Sequence, residues 1–204
     1  MDNLFVLLTV AFVTMASPGP ATLTILGTSM SLGRRAGIAV ATGILCGSVF
    51  WSVLAAMGTG ALMASNVWIV EILRISGVAY LAFLAVKSGL SAFKKEIPPQ
   101  GITATLSVKA AFLKGLMIHL TNPKAIFLFG SLYAVGVSPE ASFIELTMLV
   151  VSLAILAAVV FFGYALLFSS SPVARLYVRF RRSIQGVFAL IFGSAAIKLA
   201  MSRL

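Results

Sequence analysis

The sequence is poor in charge, acid above all, and in the residues that metal and thiol chemistry require. Five Asp and Glu stand against fifteen Lys and Arg in 204 residues, and charged residues make up only 10% of the chain. The single cysteine, Cys46, excludes an intramolecular disulfide and dithiol redox chemistry. The single histidine, His119, has no Cys, Asp or Glu clustered around it in sequence, so there is no recognisable metal-binding pattern and no implied cofactor. An enzyme embedded in a membrane would need a nucleophile with a positioned base or a metal cluster, and neither is legible, so the chain reads as a non-enzyme. A formal charge of +10 would suggest nucleic acid in a soluble protein, yet there is no basic domain with interleaved aromatics, and a nucleic-acid partner is not expected.

What the chain has in abundance is apolar surface. Hydrophobic residues make up 60% and the mean hydropathy is +1.10, more than a soluble fold of this size hides. Apolar stretches of roughly 20 residues recur, each long enough to cross a ~30 Å hydrocarbon core as a helix. The expected fold is therefore all-α: a polytopic helical membrane protein of about six transmembrane helices, surrounded by membrane lipid and forming a single domain over residues 1–204. The N-terminus lacks the positive region of a signal peptide and reads as the first, uncleaved span.

The spans read as Leu4 to Met30, Ala36 to a turn near Gly58, Gly60 and Asn66, and then onward through Glu71 and Arg74 to about Lys87. After a polar loop come Ala110 to Val135, Leu146 to Phe168, and a shorter last stretch from Ile184 to about Met201, preceded by a loop holding Arg175, Arg179, Arg181 and Arg182. The first, third and fifth loops with their flanks hold 11 of the 15 basic residues, which places them in the cytoplasm and both termini outside. A five-span chain with one terminus inside competes, supported by Lys198 and Arg203.

Spans one and four are each interrupted by a capping residue followed by proline, Ser17-Pro18 and Asn122-Pro123, which read as N-cap and first helical residue of a second half-helix. The breaks fall after about 15 and about 13 residues, about 22 Å and about 19 Å into the membrane from opposite sides. Three spans per half then make residues 1–96 and 105–204 an inverted-topology repeat, with a substrate site at the interface of the broken helices. Half-helix N-termini favour a carboxylate, and Lys124 adds a positive charge beside the second break. A neutral amino acid fits, with its ammonium on carbonyls freed by the breaks. The expected substrate-binding residues are Ser17, Pro18, Gly19, Pro20, Asn122, Pro123 and Lys124. The bland alternative is that Pro and Gly are common in membrane helices, where neighbours repair the lost hydrogen bonds.

His119 shares a helix face with Gly115 and Asn122 and reads either as a proton carrier or as a neutral interhelical hydrogen bonder. Glu71 is the other candidate for proton coupling, though an ion pair with Arg74 three residues on accounts for it equally well. Ala39, Gly43 and Gly47 form a small-residue ridge, and Gly33 and Gly37 precede it, all read as helix packing. Trp68, Tyr133 and Tyr177 suit an interfacial aromatic belt, and the Arg175 to Arg182 cluster suits anionic headgroups.

Pro18-Gly19-Pro20, followed after twelve residues by Gly33, Gly37, Gly43 and Gly47, resembles the N-terminal signature of the LysE/RhtB family of small bacterial amino-acid exporters. Phe112 to Leu116, Thr121 to Ile126 and Phe129-Gly130-Ser131 look most like its threonine-efflux branch. The resemblance covers essentially the full chain. It implies an alternating-access exporter in the bacterial cytoplasmic (inner) membrane, moving threonine- or homoserine-like amino acids outward with proton coupling, and it leaves a homo-oligomer open. The chain departs from the pattern at Tyr133-Ala134-Val135, at Ala21 and at His119. Export of another carboxylate-bearing metabolite is the runner-up, and a non-transporting scaffold leaves Lys124 and the breaks unexplained.

Overall fold

The computed structural model describes residues 4–63, 67–93, 106–138 and 140–201, and every regular element among them is an α-helix. In chain order these are α1 (Leu4–Ala16), α2 (Pro20–Met63), α3 (Val67–Phe93), α4 (Val108–Leu120), α5 (Pro123–Gly136), α6 (Phe143–Leu167) and α7 (Ser171–Met201). Of the expected turn region, Gly58 and Gly60 are helical, inside α2; Asn66, the polar loop after Lys87 from residue 94 onward and the proposed repeat boundary fall outside the described residues, as do the side chains of Trp68, Glu71 and Arg74.

Helix α2 is bent at one residue. Gly33 adopts φ 80°, ψ −178°, the one positive φ among the described residues, and separates arms at 20–32 and 34–63. Such a backbone is accessible to glycine because it has no Cβ to clash. The bend returns the chain on itself, so that a Cβ on Gly37 would lie 3.3 Å from the Ser29 Cα. A Cβ on Gly33 itself would meet nothing within 4 Å, so Gly33 shapes the bend and does not pack as the sequence suggested.

The second arm of α2 lies directly on α4. A Cβ on Gly43 would fall on the Phe112 carbonyl oxygen and 2.7 Å from the Leu116 nitrogen, and a Cβ on Gly115 would fall on the Val40 carbonyl oxygen. The two glycines face each other's backbones, which brings the helix axes as close as small residues allow. Helix α6 covers α1 and α2 with Leu149, Leu153, Ala157, Phe161 and Ala165, all buried at four-residue steps. Its outer face, with Met148, Val151, Ile155 and Val159, is exposed and equally apolar. A helix apolar all round belongs in lipid. Pro20–Gly58 and Phe143–Leu167 are each long and apolar enough to cross a membrane, and Leu4–Ala16 and Val78–Phe93 are shorter apolar helices. α3 packs along α7, where Cβ atoms on Gly89 and Gly193 would rest 3.9 Å from Ala189 and Ala85.

Two expectations need correcting. Arg175, Arg179, Arg181 and Arg182 are not in a loop: α7 is continuous over 31 residues, because no Gly or Pro follows Pro172 until Gly186 and arginine is a good helix former. Tyr133 is not at an interfacial belt either. It is 1% exposed in the core, and its hydroxyl meets Ser52 Oγ at 2.8 Å.

Gly43→Ala is expected to cost about 1–3 kcal/mol by forcing α2 from α4. Gly163→Ala in α6, where a Cβ meets nothing within 4 Å, serves as control. Thermal unfolding in detergent should show a lowered midpoint for the first and an unchanged one for the second.

Candidate functional site

The first break closes α1 rather than capping α2. Ser17 donates its amide to the Val13 carbonyl at 3.0 Å and its hydroxyl to the Thr14 carbonyl at 2.7 Å, ending the helix. α2 starts at Pro20, two residues later than the Ser17-Pro18 reading expects, and its first bond runs from Leu23 N–H to the Gly19 carbonyl at 2.8 Å. The reason is Pro20: the residue before a proline is driven out of the helical region, so Gly19 ends the linker and becomes the cap. Thr22 Oγ1 accepts the Gly19 amide at 2.9 Å.

The second break follows its sequence signature. Asn122 is the N-cap of α5, with its Oδ1 accepting the Lys124 amide at 3.1 Å, and Pro123 occupies the first turn.

The two breaks meet through Lys124. Its Nζ donates to the Ser17 carbonyl oxygen at 2.8 Å and also to Ser17 Oγ, across 107 positions of sequence. Both residues are buried, and among the described residues no carboxylate pairs with the ammonium. A cation inside a membrane protein is costly unless its hydrogens are taken up. Here the acceptors sit at the C-terminal end of α1, where the helix dipole is negative. Gly19 makes the room: a Cβ there would lie 3.3 Å from both Cδ and Nζ of Lys124.

One turn before the second break, His119 is 5% exposed. Its Nε2 lies 3.0 Å from Ser48 Oγ on α2, its ring meets Phe161 of α6 edge-on at 5.9 Å, and Gly47 gives it space, with a Cβ there reaching 3.0 Å from the His119 Cβ. Nδ1 is buried without a hydrogen-bond partner. A cavity of about 20 Å3 lies between these groups, lined on its polar side by Thr14, Gly19, Thr22, His119, Asn122 and Lys124. That is room for about one water.

Of the sequence-predicted residues, Gly19, His119, Asn122 and Lys124 line the cavity, and Ser17 holds the lysine at its edge. Pro18, Pro20 and Pro123 shape the breaks, while Gly37, Gly43 and Gly47 lie on helix contacts. The Glu71 side chain is outside the described residues, and its place in α3 says nothing of coupling. Sequence reading missed Thr14, Thr22, Ser48 and Phe161. Ser48 was reachable, since it immediately follows Gly47 on the ridge that contacts α4.

The profile of the LysE type translocator family matches residues 12–203. The chain belongs to this family. Among relatives of the LysE type translocator described here, the threonine efflux protein of Escherichia coli (strain K12) is 29% identical over 206 residues, covering 98% of this chain and all of the relative. The threonine efflux protein of Salmonella typhi is 27% identical, with 98% of each chain covered. The homoserine/homoserine lactone efflux protein of Salmonella typhimurium is 28% identical over 74% of this chain and 73% of its own length. No solved structure matches. As a LysE type translocator with an all-helical fold, the chain is a helical membrane protein of a transporter family.

The Lys124 to Ser17 contact is testable by a double-mutant cycle. Ser17→Ala and Lys124→Met should be non-additive by about 1.5–3 kcal/mol, the scale of a hydrogen bond to a charged group. Unfolding of the four proteins in detergent measures it, and additive losses would mean that the bond to the Ser17 hydroxyl contributes nothing, the bond to the Ser17 carbonyl being untouched by Ser17→Ala.

Proposed function

We propose that the chain is a secondary transporter that exports small neutral amino acids, threonine- or homoserine-like, across the bacterial cytoplasmic membrane. The observation that carries this reading is the lysine docked between two helix breaks beside a small cavity that residues of both breaks line. Family membership and the names of the relatives support the solute class.

The site has one end suited to each charge of a zwitterion. The C-terminal end of α1 already binds an ammonium, that of Lys124, and so suits the ammonium of a substrate. Lys124, once released, suits a carboxylate, beside the capped N-terminus of α5. A plain amine would leave Lys124 without a partner, and a plain carboxylate would leave the Ser17 carbonyl bare. A zwitterion satisfies both in one exchange. The cavity has no room for an amino acid while Lys124 lies across it, so substrate entry requires the two breaks to separate.

In this reading the chain crosses the membrane six times as two inverted repeats, 1–96 and 105–204. The first span is α1 with the first arm of α2, and the fourth is α4 with α5. Three contacts support that plan: the second arm of α2 on α4, α1 on α6, where the Tyr164 hydroxyl donates to the Ala16 carbonyl at 2.5 Å, and α3 on α7. Alternation between the two halves would expose the site to each side in turn. His119 is the titratable group beside the second break through which inward proton flow would be coupled to export.

The test is efflux from cells preloaded with labelled amino acids, with a protonophore and a liposome control. Threonine, homoserine or serine should leave faster when the protein is present. Lys124→Ala should slow this at least about tenfold, the effect of losing one charge-assisted contact, at unchanged membrane expression. If verified wild-type protein speeds the loss of no amino acid in the panel, the reading fails, and other carboxylate-bearing metabolites become the candidates.

A further inference from the structure

Beyond the proton coupling proposed for it, His119 carries a buried nitrogen whose hydrogen bond nothing in the protein supplies among the described residues. The ring lines the cavity, yet only one of its two nitrogens is hydrogen-bonded. Ser48 has a single hydroxyl hydrogen, and its Oγ donates to the Ile44 carbonyl at 3.1 Å, one helical turn back. With that hydrogen on Ile44, Ser48 meets Nε2 as an acceptor and the neutral ring carries its hydrogen on Nε2; with it turned to Nε2, the ring hydrogen sits on Nδ1. In either tautomer Nδ1 is a buried polar atom without a partner, on a ring that lines the cavity. A buried acceptor without a donor costs free energy, and such orphans in a site mark where a ligand completes the network. The neighbours that hold the ring are not its donors: Phe161 offers an edge, Gly47 offers no side chain, and the Lys124 ammonium donates to the two Ser17 oxygens and makes no hydrogen bond to Nδ1.

We infer that His119 Nδ1 receives the side-chain hydroxyl of the transported solute, so that His119 selects hydroxylated amino acids over their apolar isosteres. The inference rests on the amino-acid exporter reading and adds a third contact to the two that hold the zwitterion. The zwitterion contacts are common to all neutral amino acids and do not discriminate among them. A hydroxyl gives Nδ1 its donor, and it serves equally as an acceptor if the ring hydrogen shifts to Nδ1. A methyl in its place leaves the nitrogen bare. Sites built around a substrate hydroxyl reject the analogue lacking it far more strongly than apolar pockets discriminate by size.

The experiment compares threonine with valine, its near-isostere, in proteoliposomes containing the full-length wild type, His119→Leu, His119→Asn and His119→Gln. Asparagine places its amide near the position of Nδ1, and glutamine near that of Nε2. The wild type should favour threonine by about ten- to a hundredfold, the range expected when a buried acceptor is satisfied or left bare. His119→Leu and His119→Gln should bring the ratio to near unity, largely by admitting valine, while His119→Asn retains most of it. If His119→Leu does not insert, the Asn and Gln pair still decides. Equal transport of threonine and valine by the wild type, or a ratio unchanged by Leu or Gln, overturns the inference while leaving the amino-acid reading standing. A parallel fall in both rates at constant ratio overturns it too, since that is what a purely structural histidine would give. Failure of the wild type to move either amino acid, or any other, removes the exporter reading and this inference with it.

Discussion

A cation held without a counter-ion among the described residues is the constraint around which the rest of the structure is arranged. Lys124 is buried, and its ammonium is satisfied only because α1 stops at Ser17 and presents a carbonyl and a hydroxyl at its negative end. For α1 to stop there, the chain needs a segment that will not continue the helix, and Pro18-Gly19-Pro20 supplies it. For the lysine to arrive there, α4 must also stop, and Asn122-Pro123 turns the chain so that α5 starts with Lys124 in its first turn. Gly19 then keeps the approach clear. Each break would cost backbone hydrogen bonds alone; together they form one polar centre that offsets part of that cost.

The polar centre stays in place because the helices around it touch through backbone rather than through long side chains. Gly43, Gly47 and Gly115 let α2 and α4 meet at van der Waals distance, and the same face of α2 continues into Ser48 and Ser52, which bond His119 and Tyr133. Close approach and polar recognition therefore share one helix face. Serine suits this arrangement: it is small enough for the ridge, and its spare hydrogen returns to its own helix, as Ser48 does to Ile44.

Much of this was legible in residue order, and the failures have physical causes. The second break was readable because Asn122-Pro123 is a local cap signal whose geometry needs nothing from elsewhere in the chain. The first was misread by two residues because two prolines compete to open the helix, and the later one wins by excluding Gly19 from it. The all-helical fold followed from composition, and the ridge of Gly43 and Gly47 from spacing. Gly33 was placed on that ridge because spacing cannot separate a glycine chosen for its dihedral freedom from one chosen for its size. Tyr133 looked interfacial because tyrosine often is, and its burial depends on Ser52, 81 positions away. The docking of Lys124 on Ser17 spans 107 positions and leaves no trace in either local sequence.

The size of the cavity has a consequence for the cell. A cavity of about 20 Å3 crossed by its own lysine holds no solute while the lysine is docked on Ser17. Each solute molecule passed would require a separate unlatching of the lysine. Throughput would then be set by how often the latch opens, on the timescale of collective helix motions, and not by the width of any opening.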